Sequence, residues 1–396
     1  MRNGFKIFDA DRHVIEPLSL WADYLPSKFR AWAPKWQDWP TGNESMTERL
    51  QRLGTQALLP TPPVPAVKGT PLYRGMPEPA YIELGAQALL RGAELSASAS
   101  AAGQLANMDR LGIDVGILLP TYASYLVHDD DISAPLSRAY AKAYNRWLFD
   151  LRRANPERLL AASVLSCHDP EQMVFDLREA LAQDPVAVVL RPNPIQGRTL
   201  ADPDYQRFWQ ACQFHDLPVL LHEGTHANLT TAGVDRYATR FGQHACSHPL
   251  EAMLALLSLI EGGVLSQNPD LRVAVLEAGC GWLPYWLWRL DELEYRKLHN
   301  EVTACVKKPP STYFREQCWI AFEPGEALFE SVIEHIGSDR FLLGTDFPHL
   351  DHDSDPITLL LETGDLASDA IRRLCWENAA NLFKVRSRVQ SCDSRS

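Results

Sequence analysis

Four short segments of this 396-residue chain gather side chains that bind metal ions or move protons. They are Asp9-Ala10-Asp11-Arg12-His13, His222-Glu223-Gly224-Thr225-His226, Glu277-Ala278-Gly279-Cys280 and Thr345-Asp346-Phe347-Pro348-His349. Imidazole nitrogen and carboxylate oxygen are donors that hold a divalent ion such as zinc or manganese while leaving positions open for water and substrate. Two aspartates and two histidines, Asp11, His13, His222 and Asp346, form one such set. Side chains alternate along an extended strand, so Asp11 and His13 share a face and Arg12 points away from them. Glu277, Glu323 and His349 belong to the same level as candidate acids, bases or substrate contacts.

These residues fall at the ends of apolar, β-branched-rich runs. Eight runs read as buried parallel strands: 6–11, 114–120, 159–165, 186–191, 217–222, 271–277, 317–323 and 340–346. Helical patterns lie between them, several opening on Asp-Pro or His-Pro, a cap followed by proline in the first turn. Strand and helix alternating to a count of eight predicts an α/β fold of the closed (β/α)8 class, a TIM barrel, whose active site lies at the carboxyl ends of the strands. A doubly wound open sheet is the competing arrangement, and no G-x-G-x-x-G follows a strand to support it. Residues 31–100, with the proline-rich Pro60-Thr61-Pro62-Pro63, are too long for an ordinary βα loop and predict an insertion covering the barrel mouth. The chain is then one domain over 1–385 with a polar tail at 386–396.

A hydrophobic share of 46% with 22% charged residues is that of a globular protein with ample core. The net charge of −12 and the lack of a Lys/Arg stripe argue against nucleic-acid binding. The start shows no apolar signal region and no run is long enough to span a bilayer, so a cytoplasmic protein without membrane contact is expected. The eight cysteines have no C-x-x-C spacing, which predicts reduced, buried thiols; Cys280 lies nearest the acids.

The segments FDADRHVIEP, NMDRLGIDVGILLPT, LLHEG, GGVLSQNPDLRVAVLEAGCGWLPYWLWRLDE and LLGTDFPHLD resemble the amidohydrolase-related (amidohydrolase 2) family over nearly the whole chain. That family includes aminocarboxymuconate-semialdehyde decarboxylase and the resorcylate-type decarboxylases. The resemblance implies a metal-dependent barrel in which the first-strand H-x-H falls on Asp11 and His13, the fifth-strand histidine on His222 and the eighth-strand aspartate on Asp346. Asp11 puts a carboxylate where the better-known pattern has imidazole, as the resorcylate-like enzymes do. The harder, more anionic site keeps manganese close behind zinc as the expected ion. A second departure is Glu277, which stands where the semialdehyde decarboxylase carries a catalytic histidine.

Further residues divide between chemistry and support. Arg191 and Asn193 follow the fourth run, where a guanidinium could grip a substrate carboxylate or simply brace a loop. His248, before Pro249, reads as a helix opening, with a cap or a site-facing acid or base as its role. Glu277 is either an acid, base or ligand, or a salt-bridge partner of Arg191 or Arg289. His226, Asp351 and His352 stay open. Trp282, Tyr285, Trp286 and Trp288 repeat at helical spacing and predict core packing or a subunit interface. The resulting expectation is a metal-dependent hydrolase of an amide, ester, lactone or C–C bond in a small molecule or peptide, with Asp346 as base and Glu277 or His248 as acid. Decarboxylation or hydration of an aromatic or unsaturated acid is the alternative, and an inactive barrel serving as a binding subunit the alternative of another class. Dimers in the resembling family imply a homo-oligomer.

Overall fold

The computed structural model describes residues 1–40, 44–350, 355–362 and 366–385. Asp351, His352 and the 386–396 tail lie outside the described residues. Eleven strands are present among them. β1 (Phe8–His13), β5 (Val115–Leu119), β6 (Leu159–Val164), β7 (Ala187–Leu190), β8 (Val219–His222), β9 (Val273–Leu276), β10 (Cys318–Phe322) and β11 (Phe341–Leu343) form one parallel sheet in chain order. β2 (Lys35–Gln37), β3 (Val64–Val67) and β4 (Thr70–Pro71) form a small antiparallel sheet. Every residue of the eight-stranded sheet is buried, as apolar runs covered on both faces require.

The sheet curls until its first and last strands meet. Asp346 N–H donates to Asp11 O at 2.8 Å and His13 N–H to Phe347 O at 2.7 Å. Behind this seam Asp9 accepts from Thr345 N–H at 2.9 Å, Thr345 Oγ1 at 2.6 Å and Arg12 Nη1 at 3.0 Å. Arg12 faces away from the mouth, as alternation requires. It is fully buried, bonded to Gln104 and Asn107 and stacked 4.4 Å from the Phe347 ring centroid. Gly344 is needed at the seam, since a Cβ there would lie 2.5 Å from Asp11 Cβ. The first strand runs two residues later than the run 6–11, so Asp11 and His13 end it from within; the last stops at Leu343, leaving Asp346 on the loop beyond.

Residues 31–100 carry the small sheet, the helices Met46–Leu53 and Glu78–Leu90, and a local core of Val64, Met76 and Tyr81. Ser45 and Glu48 start the first of these helices with a reciprocal capping box. The segment reaches the carboxyl-end loops at several points. Arg74 N–H donates to His226 O at 2.8 Å, and its guanidinium pairs with Asp129 at 3.1 Å. Tyr73 sets its ring edge-on to Tyr125 at 5.1 Å, and Arg91 Nη1 donates to His349 O at 2.7 Å. The crossover helix Ala101–Leu111 then starts from a Ser100 cap and ends at Gly112, whose φ of 72° is the left-handed turn glycine accepts without strain.

One expectation changes. The helix carrying His248 opens at Arg240 on a Thr239 cap and runs to Glu261, so His248 is interior and Pro249 is a helix proline. In the tryptophan-rich stretch Leu283 and Leu287 are buried, Trp282 and Trp286 pack partly buried against the core, and Tyr285 and Trp288 are half-exposed. The cysteines described are free thiols, and no described helix is long and apolar enough to cross a membrane.

Candidate metal centre

The carboxyl ends of β1, β8 and the loop after β11 bring Asp11, His13, His222 and Asp346 together, all four buried. His13 Nε2 lies 3.0 Å from His222 Nε2, 3.2 Å from Asp11 Oδ1 and 3.2 Å from Asp346 Oδ1. His222 Nε2 lies 3.5 Å from Asp11 Oδ1. Two backbone carbonyls fix the tautomers. His13 Nδ1 donates to Pro120 O at 2.8 Å and His222 Nδ1 to Glu223 O at 2.7 Å. A neutral ring then presents its Nε2 lone pair inward, the arrangement of metal-binding histidines.

These residues fit a divalent cation. Two lone pairs facing each other at 3.0 Å repel unless positive charge lies between them. Ligand atoms about 2.1 Å from one ion and at right angles around it stand about 3 Å apart. The electrostatics agree. Burial opposes charging of both imidazoles, yet the charges and hydrogen bonds of Asp11, with Asp346 and Glu277, push both up to about 9. Burial raises the Asp11 carboxyl, and the two rings beside it lower it further, to a net value well below the usual range. The cluster calls for positive charge, which a proton or a metal ion can supply.

Asp346 and Glu277 both adopt left-handed backbone, with φ of 49° and 47°. Such a conformation is unfavourable for a residue with a Cβ and persists where surrounding contacts impose it, commonly at active sites. His349 Nδ1 donates to Asp346 at 2.8 Å while its Nε2 meets Thr121 Oγ1 at 3.1 Å, and its ring lies 4.1 Å from His13. Both ring nitrogens of His349 are thus engaged within the protein, one of them on Asp346.

Glu277 does not pair with either arginine proposed for it. Its Oε2 is 3.1 Å from His222 Nε2, and its Oε1 is 3.6 Å from His248 Nδ1. Arg289 pairs instead with Glu294 at 3.0 Å. His248 is held by Nδ1–H donation to Glu277 O at 2.9 Å, and its Nε2 faces Glu223 Oε2 at 3.3 Å. The helix thus presents the His248 imidazole beside Glu277. Asn193 Nδ2 turns onto Glu223 Oε1 at 3.2 Å and Thr231 Oγ1 at 3.2 Å. Glu323 is exposed at the mouth, where an opening of about 270 Å³ is lined by Asp11, Glu277, Ala278, Gly279, Glu323 and Asp346 among others. Arg191 is buried beside Tyr125.

Sequence reading placed Glu223 at the rim without giving it a role, and missed Thr121 and Arg91. Glu223 adjoins a ligand but by alternation points to the other side of its strand, and nothing local shows that a distant helix supplies His248 to meet it. Cys280 is buried; its backbone N–H donates to Glu326 at 2.7 Å and its thiol is pushed well above the usual range by burial and by Glu326, so it is not poised as a nucleophile.

A barrel with this ligand set belongs to the amidohydrolase family, whose sequence model matches residues 11–385. Among curated proteins the chain is similar to the 2-amino-3-carboxymuconate-6-semialdehyde decarboxylase of Dictyostelium discoideum, 22% identical over 243 residues. That alignment covers 61% of this chain and 64% of the relative, just under two thirds of its length. Among solved structures it is similar to an amidohydrolase of Mycobacterium avium subsp. paratuberculosis, with TM-score 0.74, 21% identity and coverage of 96% and 99%. It is also similar to the 5-carboxyvanillate decarboxylase of Novosphingobium aromaticivorans, solved with manganese and a nitrobenzoic acid, with TM-score 0.68, 19% identity and coverage of 97% and 98%. The named activities among these relatives are decarboxylations, whereas hydrolysis was the leading expectation from sequence.

Proposed function

We propose that this chain is a metal-dependent lyase that removes CO2 without oxidation from a small aromatic or unsaturated carboxylic acid. The observation that carries the reading is the buried Asp11, His13, His222, Asp346 cluster with both Nε2 atoms turned inward. The decarboxylases among its relatives supply the reaction class. Asp11, His13, His222 and Asp346 would hold the ion, with manganese favoured by the two carboxylates and by the manganese in a structural neighbour. When bound, the ion would orient the acid and withdraw electron density from it.

The chain's own residues account for the proton. As the bond to the carboxylate breaks, its electron pair stays on carbon and CO2 leaves. A proton must then reach that carbon. Glu277, on the rim of the opening and backed by His248, is the carrier we assign, which gives the glutamate the task of the histidine it replaces. Residues 31–100 would cover the opening, held down by Arg74 on the loop after β8 and by Arg91 on the loop after β11.

Hydrolysis remains the second reading because Glu277 beside a ligand could equally serve as base to a water. Isotope labels separate the two. The manganese-loaded protein is incubated with hydroxybenzoates and unsaturated dicarboxylates in D2O and in H2(18)O. Decarboxylation releases CO2 and leaves deuterium on carbon; 18O in a product without CO2 would overturn the lyase reading. Glu277→Gln is expected to keep the ion and lose about 10²-fold or more in turnover, the range for a positioned acid. Loss of the ion in that variant would make Glu277 a ligand instead.

A further inference from the structure

Arg191 follows β7 directly, one residue beyond the Leu190–Leu221 pair, just as His222 lies one residue beyond it on β8. Its backbone therefore stands beside that of the candidate ligand His222, and its guanidinium reaches Tyr125 and Gly224. It is 1% exposed, and its Nε and Nη1 have no hydrogen-bond partner. Among the described residues no carboxylate pairs with it, although the neighbouring strand ends carry Glu223 and Glu277. Its Cζ lies 5.1 Å from the Tyr125 ring centroid, and Tyr125 is fixed by donating to Thr225 O at 2.9 Å. On another side lies Gly224, where a Cβ would come within 2.3 Å of Nη1 and 2.8 Å of Nη2. Burial, helped by the charge of Arg191, pushes nearby His128 down to about 3. That histidine stays neutral and adds no compensating charge.

A buried guanidinium with unmet donors and no counter-ion is costly, and its fork matches a carboxylate. We propose that Arg191 holds a second carboxylate of the substrate, one that the reaction retains, so that the enzyme selects small dicarboxylic acids. Which carboxylate it holds rests on the lyase reading above. An ion pair to the departing group would stabilise the acid and vanish as CO2 forms, opposing the reaction. An ion pair to the retained group persists throughout and serves to orient the other one at the ligand set. Gly224 is the space that lets the fork lie flat between the Tyr125 ring and the loop after β8.

Titration calorimetry on the manganese-loaded protein tests this with benzene-1,3-dicarboxylate and benzoate as probes. The wild type is expected to bind the dicarboxylate about ten-fold or more tighter, the size of a charged hydrogen-bond pair. Arg191→Met should bring the dicarboxylate to the benzoate level while metal per chain stays the same. Gly224→Ala, which keeps the charge but crowds the fork, should reduce the preference in the same direction and stands in if Arg191→Met does not fold. A wild type without preference, or either variant retaining it in full, overturns the proposal. If the preference is present and lost as described yet no acid yields CO2, the carboxylate site stands and the lyase reading falls.

Discussion

His349 shows how a residue outside a ligand set keeps it in shape. It grips Asp346 through Nδ1, leans on Thr121 through Nε2 and stacks on His13, so it fixes two of the four ligands. Removing such a partner typically weakens metal binding by about 10- to 100-fold. His349→Ala should therefore bind Mn2+ weaker by that factor in a chelator competition, and unchanged affinity would show that Asp346 needs no support. His226 illustrates a different residue-level effect. Burial, with help from Arg240, pushes it from its usual 6.5 down to about 4. Above about pH 6.5 it is neutral folded or unfolded and carries no penalty. As pH falls toward 4 the unfolded chain takes the proton first, so stability is lost across that window. His226→Asn, a residue that accepts the φ of 69° at this position, should lose less Tm between pH 7 and pH 4.5 than the wild type. At this scale the gathering of Asp11, His13, His222, Asp346 and Glu277 was legible because strand alternation and strand ends dictate where side chains go. The partners of Glu277 and the supporting role of His349 were not, because they depend on the rotation of a helix and the path of a loop.

The seam between β1 and β11 is the element on which the site depends. Asp11 and Asp346 meet across it, and their separation is set by backbone hydrogen bonds and by the absence of a side chain at Gly344. Gly344→Ala would force a Cβ against Asp11 Cβ and should destabilise the fold by about 1–3 kcal/mol, the usual range for overpacking. It should also lower the metal content, and wild-type values for both would contradict the seam as the determinant of ligand spacing. Eight strands could be counted in the sequence because fully buried parallel strands are short and apolar. Their exact ends could not. Residues 12 and 13 are polar yet belong to β1 because Asp9, Gln104 and Asn107 satisfy Arg12 inside the protein, and an apolar criterion misses a buried ion pair. The helix start at Arg240 was hidden for the opposite reason. Pro249 resembles a first-turn proline, but the Thr239 cap ten residues before it begins the helix.

For the whole molecule, the candidate metal centre lies where the chain's first and last strands close on each other, so an ion bound there would join the two ends of the fold. An ion that binds only the folded state stabilises it by mass action, about 2.7 kcal/mol at a hundred times its Kd. Chelation should lower Tm by several degrees and Mn2+ should restore it, with a Tm indifferent to both counting against a resident ion. Residues 31–100 join the same closure through Arg74 and Arg91, and Arg91→Ala should open that segment to limited proteolysis without changing the metal content. The most direct measurement is the metal per chain, by elemental analysis after loading with Mn2+ or Zn2+ and removal of excess. About one ion per chain in the wild type, and almost none in the His13→Ala, His222→Ala double variant shown by circular dichroism to be folded, is the result expected here. An equal ion content in both proteins, or none in the loaded wild type, would contradict the assignment of Asp11, His13, His222 and Asp346 as the metal centre.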